Sequence, residues 1–153
     1  MDNSINTVNT WLLQLNKDLN VAVGEQEIAH ILHQPDLFSV PKTSDFCNQV
    51  LVWNKEIIPV INLNYFNVQK IQYEVKNVVV AILTYKGVNN MYQYGALILQ
   101  NIPTLLTLKN INACDIPDNI SDYRHLFISC LRSETEGIIP VLNTESLFEK
   151  GIQ

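Results

Sequence analysis

Short apolar runs recur along this chain at intervals too close for a helix to fit between most of them. They fall at 11–15, 21–23, 49–53, 56–61, 75–84, 92–99, 105–108, 126–131 and 138–142. Several are 8–12 residues apart and are separated by Asn, Asp, Gly, Pro and Ser, the spacing of antiparallel strands in a barrel or sandwich. A parallel α/β sheet needs a helix in each crossover, and this chain has too few candidates. The fold class is therefore mainly β. At 153 residues the chain has the size of one domain and buries enough surface to fold without a disulfide or metal staple.

The connections are specific. Lys17-Asp18-Leu19-Asn20 turns the first strand into the second, making a hairpin. Asn54-Lys55 is a two-residue hairpin turn, since Asn tolerates the left-handed backbone such turns use. Lys86-Gly87-Val88-Asn89-Asn90 and the segment 133–137 are further turns, and 109–122 reads as loop. Pro59 has no N–H for a ladder, so its strand is expected at a sheet edge or a bulge. The strand 75–84 is apolar throughout and is expected to be buried on both faces. Two short helices are expected. One spans 25–33, where Ile28, Ile31 and Leu32 fall at i, i+3 and i+4; it stops at Gln34-Pro35. The other spans 143–148, with Asn143 or Thr144 as its cap. Residues 1–9 are polar and expected to fray, leaving one domain over 10–150.

Ile57-Ile58-Pro59-Val60-Ile61-Asn62 returns as Ile138-Ile139-Pro140-Val141-Leu142-Asn143. Each copy is followed closely by Leu and Phe: Leu63 and Phe66, then Leu147 and Phe148. The echo favours a fold of two lobes, each ending in the same strand and exit.

Composition narrows the partners. Ten Lys and Arg against fifteen Asp and Glu give a net charge of −5, and no stretch gathers the basic residues. The footprint of a nucleic-acid binder is missing, as is that of a protein held on an anionic membrane. The first residues lack the basic and apolar regions of a signal peptide, and the longest apolar run, 78–83, is far short of a membrane span. A cytoplasmic protein without membrane insertion is expected. Cys47, Cys114 and Cys130 are too far apart in sequence for a zinc or redox motif and read as three reduced thiols. His30 and His33 stand three apart with no further ligand motif, so no metal or cofactor is expected. There is no nucleophile elbow or phosphate loop, and the acids Asp36, Asp45, Asp115, Asp118 and Asp122 read as solvated loop charge. The chain is not expected to be an enzyme. Trp53, at the hairpin tip, and Tyr92 and Tyr94, alternating on one strand, are candidate binding anchors that core packing would explain equally well.

The order of these elements resembles the CheW-like domain family. The matching stretches are Val21-Ala22-Val23-Gly24-Glu25-Gln26-Glu27-Ile28-Ala29-His30-Ile31-Leu32, then Val40-Pro41, then Glu56-Ile57-Ile58-Pro59-Val60-Ile61-Asn62-Leu63, close to the family's E-V-I-P-V-I-D-L strand. Gly95-Ala96-Leu97-Ile98-Leu99, the segment 102–108, and the second Pro strand with Leu147-Phe148 complete it over about residues 10–150. The resemblance implies two five-stranded SH3-like β-barrels packed together, no catalysis, and an adaptor that bridges a chemoreceptor cytoplasmic tip to the regulatory domain of a CheA-type histidine kinase. It implies receptor-binding residues at Ile28, His30, Ile31, Trp53 and Asn54. Asn54 and Lys55 stand where the family has Arg and Gly, and His30 where it often has Glu. That points to a divergent, PilI-like member of a twitching-motility (type IV pilus) pathway, or one for an unusual receptor. The competing class is an SH3-like module for Pro-rich peptides, unrelated to chemoreceptors.

Overall fold

A computed structural model describes residues 7–16, 19–41, 43, 47–63, 78–109, 112–118, 124–133 and 136–149. Lys17, Asp18, Asp45, Phe66, Asp122 and the first residues of the expected strand 75–84 lie outside them.

The described residues form twelve strands: β1 (Thr7–Asn16), β2 (Leu19–Gly24), β3 (Ile28–His33), β4 (Phe38–Ser39), β5 (Gln49–Trp53), β6 (Glu56–Ile61), β7 (Val79–Lys86), β8 (Tyr92–Leu99), β9 (Thr104–Lys109), β10 (Asn112–Cys114), β11 (Phe127–Ser133) and β12 (Gly137–Leu142). One helix, α1 (Thr144–Glu149), follows. The strands make two mixed six-stranded sheets, ordered β10-β11-β12-β2-β1-β9 and β3-β7-β8-β6-β5-β4. The two ends of the described chain thus share one lobe, and its middle makes the other.

Strand alternation sorts the apolar residues into three cores. On β7, Val79, Ala81 and Leu83 face a central core between the sheets, whereas Val80 and Ile82 face the inside of their own lobe. The same division runs along β8, with Leu97 and Leu99 central and Ala96 and Ile98 inward. On β2, Val21 and Val23 are central and Ala22 faces the other lobe's interior with Leu108 and Ile139. β7 is therefore buried on both faces over most of its length, as its composition predicts.

The Pro echo has a structural counterpart. β6 pairs antiparallel with β5 and parallel with β8; β12 pairs antiparallel with β11 and parallel with β2. In each copy the Val after Pro lies opposite an Ala of the parallel neighbour, Val60 opposite Ala96 and Val141 opposite Ala22. Neither Pro is on an edge strand, which corrects the expectation for Pro59. The ladder accommodates it by register. Trp53 and Glu56 flank a two-residue turn and form a hydrogen-bonded pair, so Val50 and Pro59, three steps on, form a non-hydrogen-bonded one. The parallel pairing to β8 begins only at Val60. No ladder bond is asked of Pro59.

Three further expectations change. Residues 25–33 are not a helix but a turn followed by β3, which pairs antiparallel with β7. A bulge between Ile28 and His30 adds one residue. Ile28 and Ile31, three apart, then lie opposite Leu83 and Ala81 on the same face and imitate a helical stripe. β1 begins at Thr7, so Thr7, Val8 and Asn9 are paired with β9 rather than frayed, and the Thr107 hydroxyl donates to Asn9 Oδ1 at 2.7 Å. Part of the expected loop 109–122 is β10, paired with β11.

The Asn54-Lys55 turn has positive φ at both residues, 51° and 66°, the pattern of a type I′ hairpin. Asn accepts this conformation and Lys does so only under strain. Lys55→Gly is expected to raise stability by about 0.5–1 kcal/mol, the left-handed penalty less glycine's entropic cost. A rise in the urea midpoint with unchanged slope would confirm it; a fall would show that the lysine side chain holds the turn.

α1 closes the central core. Asn143 caps it, accepting from the Ser146 N–H at 3.1 Å, and Leu147 is fully buried. Thr144 donates to Glu27 Oε1 at 3.1 Å, the other oxygen of that carboxylate takes the Gly24 N–H, and the Glu27 C=O accepts the Thr84 N–H at 2.8 Å. One glutamate thereby fastens the β2–β3 turn to both the helix and β7.

Candidate binding surfaces

Alternation along β3 decides what each of its side chains can do. Ile28 and Ile31 are half-buried against the central core, while His30 and Leu32 lie opposite Ile82 and Val80, on the face of the lobe interior. The five residues expected to form one receptor-binding site therefore divide between two faces. His30 and Trp53 are brought together, with ring centroids 6.2 Å apart and planes at 26°. Tyr94 joins them, its ring edge-on to Trp53 at 5.0 Å. The sheet curls far enough to set β3 beside β5 at this end, although no ladder joins those strands in the described residues. Trp53 is half-buried and packs on Leu51, Ile58 and their neighbours, so it both covers that core and offers an edge to solvent. Asn54 is exposed beside it, held outward by the turn. Glu56 and Lys55 put one charge of each sign at the same tip.

A second surface escaped the sequence reading. Residues directly opposite on paired strands share a face, and so do residues two apart on one strand. Phe38, Val50 and Pro59 form one row across β4, β5 and β6, and Val52 and Ile57 form the next. All five point away from the lobe core that takes Leu51 and Ile58. Phe38 is 53% exposed, Val52 61% and Ile57 74%. A β-branched pair this open gains little from folding and presents an apolar patch next to the exposed Asn54-Lys55 turn. The signal was present in Ile57-Ile58: two adjacent apolar residues on a strand with one covered face leave one of them outside.

The described residues hold no cluster of three or more His, Cys, Asp or Glu side chains that could bind a metal, and no helix among them is long and apolar enough to cross a membrane. What the hairpin and the β3 edge present is a set of apolar and aromatic groups on a sheet, with the exposed polar residues of the Asn54-Lys55 turn beside them.

Comparison with known proteins gives the same fold. The sequence pattern of the CheW-like domain family matches residues 11–151. Among solved structures, the scaffolding protein TtCheW from Thermoanaerobacter tengcongensis superposes with a TM-score of 0.74 at 15% identity, covering 95% of this chain and 96% of that one. No curated protein matches the sequence significantly. A family pattern spanning both lobes, on two mixed sheets that pack as they do in a CheW scaffold, places this chain in the CheW-like domain family.

Proposed function

We propose that this chain is a non-enzymatic, cytoplasmic adaptor that couples a chemoreceptor's cytoplasmic tip to the regulatory domain of a CheA-type histidine kinase, in chemotaxis or type IV pilus motility. The family match over residues 11–151 carries this reading. Two separate surfaces support it, since an adaptor must hold two partners at once.

The outer face of the β5–β6 hairpin, with Val52 and Ile57, is the kinase-docking surface. An exposed apolar patch with a polar rim suits another β-barrel of the same kind, which buries it without leaving a charge unpaired. The receptor side is the β3 edge and the hairpin tip: His30, Trp53 and Asn54 meet the receptor helix, and Ile28 and Ile31 hold β3 in place from the central core. A helix packs well on half-buried aromatic anchors ringed by polar groups.

The test is a calorimetric titration with the CheW-like terminal domain of a histidine kinase from the same genome. A dissociation constant in the micromolar range, about −8 kcal/mol, is expected. Absence of heat with a protein that circular dichroism shows to be folded would refute kinase coupling.

A further inference from the structure

Two cysteines far apart in sequence meet across a ladder. Cys114 on β10 lies directly opposite Cys130 on β11. Opposed Cα atoms in an antiparallel pair are about 4.5–5.5 Å apart. A disulfide spans Cα separations of about 4.4–6.8 Å, so the backbone already satisfies its first requirement. Directly opposed residues share a face of the sheet, so the two side chains lie on the same side of the ladder. Both are free thiols, Cys130 buried and Cys114 half-buried on the edge strand. Cys47, the third, is half-buried against the central core and has no part in this pair.

We propose that Cys114 and Cys130 are a site of reversible oxidation, closing to a cross-strand disulfide that staples the edge strand β10 to β11. The oxidant is a peroxide. Cys114, the more accessible sulfur, attacks as thiolate on the O–O bond; one oxygen leaves as hydroxide and is protonated to water, and Cys114 becomes a sulfenic acid. Cys130 then attacks that sulfur, the S–O bond breaks, and the Cys130 proton leaves with the hydroxide as a second water. Two thiols and one hydrogen peroxide give one disulfide and two waters. Burial, with the Cys114 sulfur opposite, pushes the Cys130 thiol up to about 12. Cys130 therefore reacts second, giving up its proton to the departing hydroxide as it attacks, while the more exposed Cys114 meets the peroxide first. The sequence spacing hid this pair, because only the β10–β11 register brings the residues together.

The experiment treats the intact protein with hydrogen peroxide at neutral pH and maps cysteines by peptide mass spectrometry. A cross-linked Cys114–Cys130 peptide lighter by two hydrogens is expected, reverted by dithiothreitol, with Cys47 unchanged. Cys47→Ser should oxidise as the parent does, and Cys114→Ser should yield no intramolecular cross-link. The oxidised parent should show slower amide exchange in β10 and a higher thermal midpoint, because the bond shortens the loop between the two residues in the unfolded chain. Over-oxidation of Cys114 with Cys130 still a thiol, or a Cys114–Cys114 bond between molecules, would overturn the proposal.

Discussion

Replacing Gly95 with valine lowers the thermal midpoint by roughly 6–12 °C, from an overpacking cost of about 3 kcal/mol at 2–4 °C per kcal/mol for a chain of this size. A Cβ at Gly95 would sit 2.2 Å from Phe148 Cε1 and 2.4 Å from its Cδ1. That ring has nowhere simple to go, since it stacks on Tyr85 at 5.0 Å and a 21° interplanar angle. Expelling it strains α1, and the neighbouring Leu147 is fully buried in the central core. The glycine is thus demanded by a close approach rather than by its backbone angle. A double-mutant cycle isolates the cause. If the clash is responsible, Gly95→Val combined with Phe148→Ala costs little more than Phe148→Ala alone. A midpoint within about 2 °C of the parent for the single variant would mean that α1 can shift at almost no cost.

Charging the outer hairpin face should act on binding and leave the fold alone. With Val52 61% and Ile57 74% exposed, Val52→Asp and Ile57→Asp expose no core and leave no buried carboxylate unpaired. In the complex the same two carboxylates would be buried against an apolar partner. The double variant is expected to weaken kinase-domain binding at least a hundredfold, about 2.7 kcal/mol, with unchanged circular dichroism. Parent-like affinity would move the kinase surface elsewhere on the molecule. Ile28→Glu is a poorer probe, since Ile28 packs on the central core and a carboxylate there reports on folding as well as on the receptor.

The fold was legible where one local rule decided the outcome. Asn54-Lys55 announced its own hairpin, Asn143-Thr144 announced a cap that Asn143 supplies, and the two Pro strands announced that the lobes are alike. What stayed hidden depends on which strand lies beside which. The bulge at Ala29 is one case: an extra residue in a strand shifts the parity, so Ile28 and Ile31 show a helix's spacing while forming ladder bonds to β7. β10 is another, because Asn112, Ala113 and Cys114 carry no strand signature and pair only because β11 offers an edge. The candidate surfaces were half legible. Trp53 stood out by its type and position, but its partners His30 and Tyr94 lie on other strands. Val52 and Ile57 were read as ordinary strand residues, since alternation says which residues share a face and not whether that face is covered.

The parallel pairing of β12 with β2 joins Val141 to Ala22, residues more than a hundred apart in the chain. On the ribosome, β3 to β8 emerge with every strand of their own sheet, so that sheet can assemble while synthesis continues. The β1–β2 hairpin emerges first and waits, with the β2 side that β12 will cover still open to any passing strand. Such long-range closure is slow. The earliest part of this chain to be made is among the last to be finished, and its exposure to misassembly ends only when the second Pro strand arrives.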